Sequence, residues 1–132
     1  MKTIFVFLCT AIVLAGCSTP LPAPTAAPQT RPALTDPSQP IEVEAGETFH
    51  IFLDTNPSTG YHWEIIGDLN GVEFISTEYT ADEPAAPGTG GVDVWTFKAV
   101  SSGETQITLG YFPPAADAAE PHQTVTFDIV VK

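Results

Sequence analysis

The chain has 132 residues, 16 acidic side chains against 4 Lys or Arg, and a formal charge of −12. That balance excludes the usual basis for nucleic-acid binding and for electrostatic docking on anionic lipid, since both need clustered cations. Its two cysteines, Cys9 and Cys17, both fall near the amino terminus, which leaves a downstream domain to stand on its core without a disulfide.

In chain order, basic Met1-Lys2 precedes an apolar run from Ile4 to Leu14 and then Leu14-Ala15-Gly16-Cys17. So short an apolar segment with a small-residue exit reads as a secretory signal over residues 1–16 and not as a spanning helix. Its end resembles the bacterial lipobox. The resemblance implies cleavage before Cys17, lipid (palmitate) attachment to its thiol and a membrane contact through that anchor. Ser18 next to it fits outer-membrane sorting in a bacterial cell envelope with two membranes. An ordinary signal peptide or an uncleaved anchor is the alternative. Residues 17–40 are rich in Pro, Ala and Thr, so burial cannot offset their ordering entropy and a disordered, semi-extended tether is expected.

Residues 41–132 read as one domain. Alternation of period two recurs, and no stretch holds a helical period. Ile41-Glu42-Val43-Glu44 is an edge-like first strand. Phe49, Ile51 and Leu53 share one face of a second strand, and Tyr61, Trp63 and Ile65 one face of a third. A fourth runs from Val72 to Tyr79 and a fifth from Val92 to Val100. Ile107, Leu109 and Tyr111 mark the sixth, and Val125, Phe127, Ile129 and Val131 the seventh. Seven strands in about ninety residues predict an all-β, seven-stranded immunoglobulin-like sandwich, here without a disulfide. Trp63 and Trp95 fall on inward alternations and are expected in the core.

Between the second and third strands stands Asn56-Pro57-Ser58-Thr59-Gly60-Tyr61. Pro57 fixes its own φ and pushes Asn56 toward extended backbone, while Gly60 permits a positive φ. The hydroxyls of Ser58 and Thr59 can brace the turn. A short, stiff projection loses little entropy on docking, although a purely structural turn would also satisfy this chemistry. If successive strands run antiparallel, the second-to-third, fourth-to-fifth and sixth-to-seventh connections share one end. The fourth-to-fifth connection ends Gly88-Thr89-Gly90-Gly91. A strand and not a helix follows it, so it does not read as a phosphate cradle. The sixth-to-seventh connection opens Phe112-Pro113-Pro114. His50, His62 and His122 are scattered without ligand spacing, so no metal, cofactor or catalytic site is expected. A nucleophilic Ser58 would need a base within reach.

Together, Asn56 to Tyr61 and Gly88 to Gly91 resemble the chagasin-type inhibitors of papain-like cysteine peptidases, whose loops read Asn-Pro-Thr-Thr-Gly-aromatic and Gly-x-Gly-Gly. The resemblance covers most of Glu42 to Lys132, including Trp63, the Trp95 to Ala99 alternation and the Gly103 to Tyr111 strand. It implies a monomeric, non-enzymatic domain that blocks a peptidase cleft reversibly and without covalent chemistry. The first loop would cover the peptidase nucleophile, with Gly88 to Gly91 and Phe112 to Pro114 against the two walls. The third loop departs from the family, which carries Arg-Pro-Trp where this chain reads Pro113-Pro114-Ala115. Phe112 is expected to offer a substitute aromatic contact, but nothing nearby replaces the guanidinium. Losing such an anchor costs ~2 kcal/mol or more, so weaker or differently selective inhibition is expected. The rival expectation is an envelope-anchored binding module for a carbohydrate or a protein, with Tyr61, Tyr79 and Phe112 as an aromatic platform.

Overall fold

Inward apolar and outward polar side chains alternate along several of the strands, and two sheets close over the apolar sides. The computed structural model describes residues 31–115 and 120–132; the expected signal peptide, Cys17 and the tether up to residue 30 lie outside them. In chain order the strands are β1 (Ile41–Val43), β2 (Thr48–Thr55), β3 (His62–Ile66), β4 (Val72–Ala81), β5 (Gly91–Ala99), β6 (Gly103–Phe112) and β7 (Gln123–Val131). One sheet has the order β1-β7-β6-β3 and the other β2-β5-β4. All pairs are antiparallel except β1 with β7, where Ile41 lies opposite Ile129. This is the immunoglobulin-like sandwich the alternation predicts.

β2 shows the logic most plainly. Phe49, Ile51, Leu53 and Thr55 are buried while Thr48, His50 and Asp54 face water. Ile51, Phe97, Ile107, Leu109, Phe127 and Ile129 have no exposed surface at all, and burial of each such side chain is worth roughly 1.5–3 kcal/mol. Phe97 stacks on Phe49 with centroids 5.7 Å apart. Both tryptophans are in the core, as expected. Trp63 donates its Nε1–H to Asp54 O at 2.9 Å, whereas Trp95 Nε1 has no partner among the described residues.

Two features depart from the sequence reading. β2 and β4 run two residues further than their apolar alternation, to Thr55 and Ala81, because both still pair across β5 at Gly91. The second departure concerns the boundary placed at residue 40. Thr35 N–H donates to Phe52 O at 3.0 Å, and Phe52 N–H donates back to Thr35 Oγ1 at 2.9 Å. β2 is an edge strand, so this segment supplies partners to main-chain groups that would otherwise face water. Thr35 is therefore fastened to the edge of the sandwich, within a segment that composition assigned to the tether.

Candidate functional site

The registers Thr55 with Gly91, Ala81 with Gly91, His62 with Phe112 and Tyr111 with Gln123 put the β2–β3, β4–β5 and β6–β7 connections at strand ends of one kind. Side chains and close contacts then draw the three together. Pro57, Ser58 and Thr59 form one exposed 3-10 turn. Asn56 before Pro57 is extended, with φ −139° and ψ 89°, as a residue preceding proline must be. Its Oδ1 accepts from Ser58 N–H at 3.2 Å and from the Ser58 hydroxyl. Its main-chain O accepts from Thr59 N–H at 3.1 Å and Thr59 Oγ1 at 2.7 Å. Pro57 O accepts from Gly60 N–H at 3.0 Å, and Gly60 turns the chain at φ +80°.

Asn56 also links this turn to its neighbours. Its Nδ2 donates to Gly88 O at 3.2 Å, and its main-chain N–H donates to Tyr111 Oη at 3.3 Å. The Tyr111 ring packs between Tyr61 and Trp63, with centroids 5.2 and 4.8 Å away. A column of three aromatic rings thus stands under the first loop and ties it to the facing sheet. Nothing in the alternation pointed to Tyr111 as a support; the available signal was a phenol at a strand end, whose hydroxyl needs a partner when its ring is buried.

The second loop is braced from within, since Ala86 N–H donates to Thr89 Oγ1 at 3.1 Å and Asp82 N–H to Gly90 O at 3.0 Å. At Gly91 a Cβ would stand 2.2 Å from Thr80 O, so only glycine fits between these backbones. The third loop meets the first at Gly60, where a Cβ would lie 2.7 Å from Pro114 Cβ. Residues 116–119 of that connection lie outside the described residues.

Phe112, expected as a loop contact, is instead the last residue of β6. Its half-buried ring lies over Gly110, near Pro121, and stacks on His62 at 6.3 Å. It sits on the sheet face opposite Tyr111, because neighbours along a strand point to opposite sides. Tyr79 belongs to the other sheet and leans over Gly91, and Tyr61 lies against Tyr111. The three rings offered as an aromatic platform are therefore not brought together.

The edge has no nucleophile–base pair among the described residues. The Ser58 hydroxyl is engaged by Asn56, and His62 Nε2 lies 2.9 Å from Glu64 Oε1. Below the loops, partial burial pushes the Asp93 carboxyl above its ordinary range, against a smaller opposing effect of the Thr55 hydroxyl.

A family model described as Chagasin family peptidase inhibitor I42 matches residues 42–131, which spans all seven strands. The chain belongs to the chagasin family. Amoebiasin-1 of Entamoeba histolytica is 33% identical over 94 residues, which cover 70% of this chain and 89% of that relative. Amoebiasin-2 of the same organism is 30% identical over 95 residues, covering 70% and 76%. The crystal structure of the cysteine protease inhibitor EhICP2 from Entamoeba histolytica matches with a TM-score of 0.59 at 28% identity, over 70% of this chain and 85% of that one. The solution structure of Amebosin matches with a TM-score of 0.52 at 31% identity, over 70% and 87%. As a chagasin-family chain this is a protein inhibitor of peptidases and not an enzyme.

Proposed function

We propose that this chagasin-family chain is a reversible, non-covalent inhibitor of papain-like cysteine peptidases that plugs the substrate cleft with its three converging loops. The observation that carries the reading is the convergence itself: Asn56 holds Gly88, and Gly60 admits Pro114. The description of a structural relative as a cysteine protease inhibitor supports the peptidase class. A preformed edge of this kind loses little freedom on docking and moves little. Three loops are enough to cover a standard interface of about 800 Å² per partner.

The turn also accounts for resistance to cleavage. Asn56 O and Pro57 O are hydrogen-bonded inward, to Thr59 and Gly60. A peptidase needs an extended carbonyl aligned with its nucleophile and oxyanion donors, and a 3-10 turn presents none. Pro113 and Pro114 stand in the third loop without a guanidinium, so selectivity there rests on shape. The same reading keeps the chain monomeric and tethers it to a bacterial envelope, with the lipid on Cys17.

The test is a titration of the chain from Ser18 to Lys132 against papain and a cathepsin L-like peptidase. Inhibition is expected with no cleaved product, and Ser58→Arg or Thr59→Arg should abolish it at unchanged melting temperature. No inhibition at micromolar chain would turn the reading to a binding module.

A further inference from the structure

One arginine lies where the stems of two loops meet. The Arg31 guanidinium pairs with Asp54, two residues before Asn56, and its Nε stands 3.2 Å from Asp82 Oδ1, the first residue after β4. Its Nη2 also reaches Gly91 O at 3.4 Å, where β5 begins. We propose that Arg31 is a positioning residue for inhibition, a clasp that holds the β2–β3 and β4–β5 loops in one binding geometry. The proposal rests on the inhibitory reading above.

The segment carrying Arg31 is fixed to the sandwich at a second point, through Thr35 and Phe52. Val92 lies beside this segment. It lies across from Asp54 and Thr80 and alternates with Trp95 and Phe97, so it points away from the core. It is nevertheless wholly buried, and it lines a cavity together with Arg31 and Pro32. A planar fork of five donors can serve two carboxylates and a carbonyl together, which an ammonium cannot do in one geometry. Without it, Asp54 and Asp82 would repel across the stems of a chain already at −12. Arg31 lies outside the matched residues 42–131, so the clasp is a feature of this chain's own amino-terminal segment.

Both Arg31 and Asp54 are well exposed, at 43% and 68% of their side-chain surface, so each pair contributes little alone. Two exposed pairs together predict about fivefold weaker inhibition of papain by Arg31→Ala in the Ser18–Lys132 chain. Amide exchange should quicken at Asp82 and Asn56, whose N–H groups close the two stems. The loss should shrink at 1 M salt, where the screening length is about 3 Å. Arg31→Lys should recover only part of it, and Asp82→Asn should cost less in the Arg31→Ala background than alone. Unchanged exchange and inhibition in Arg31→Ala overturn the clasp. Faster exchange with an unchanged inhibition constant overturns it as well, because Arg31 would then be a structural staple. A wild-type chain that fails to inhibit sinks the inhibitory reading instead, and the exchange rates alone then decide whether Arg31 ties the stems.

Discussion

Replacing Gly60 by alanine is the sharpest test of loop convergence. Gly60 sits at φ +80° with Pro114 Cβ only 2.7 Å from where a new Cβ would stand. Holding an L-residue in the left-handed region costs roughly 1–2 kcal/mol. Carbon atoms prefer about 3.5–4.0 Å, so Pro114 must also retreat by close to an ångström, and such overpacking costs roughly 1–3 kcal/mol. Gly46 is the natural control, with φ +93° and nothing within 4 Å of its would-be Cβ. It lies between β1 and β2, at the opposite end from the loops. In a domain this size 1 kcal/mol shifts melting by roughly 4–8 °C. Gly46→Ala should therefore lower the melting temperature by about 5 °C, and Gly60→Ala by about 10 °C or more. Calorimetry and papain titration of both variants make the assay, and only Gly60→Ala should weaken inhibition. Equal melting shifts, or equal inhibition constants, would refute the packing of the third loop on the first.

Two further outcomes are expected. Asn56→Ala removes the acceptor for Ser58 and the donor to Gly88, and a lost cap of this kind costs about 1 kcal/mol. Inhibition should fall by more than that stability change accounts for, because two loops come uncoupled; parallel losses in melting and in papain inhibition would count against Asn56 as the link. Asp93→Asn should raise the melting temperature at neutral pH. The Asp93 carboxyl is raised in the fold by burial, so its contribution to stability is full below its unfolded titration range and is lost as pH rises through the folded value. The variant's advantage should vanish in acid, and a wild type that is the more stable form at pH 7 contradicts the assignment.

Much of this molecule was open to reading before its fold was known, and the reason is locality. The strands were legible because inward Phe49, Ile51 and Leu53, or Ile107 and Leu109, recur every second residue. The turn at Pro57 to Gly60 was legible because a proline ring and a missing Cβ restrict φ within a single residue. The family loops could be recognised because their short strings survive at Asn56 to Tyr61, with Ser58 in place of the first Thr, and at Gly88 to Gly91.

The remainder depended on partners far apart in the chain. The parallel pairing of Ile41 with Ile129, the seat of Pro114 on Gly60 and the bond from Asn56 to Tyr111 join residues with no common local pattern. Phe112 looked like a loop residue until its pairing with His62 carried β6 through it. Arg31 looked like part of a tether, since proline and alanine around it offer no apolar alternation. Only the folded sheets bring Asp54 and Asp82 close enough for one guanidinium to join them. Backbone preference and burial pattern act over a few residues, whereas loop packing and ion pairs exist only once distant segments share a surface.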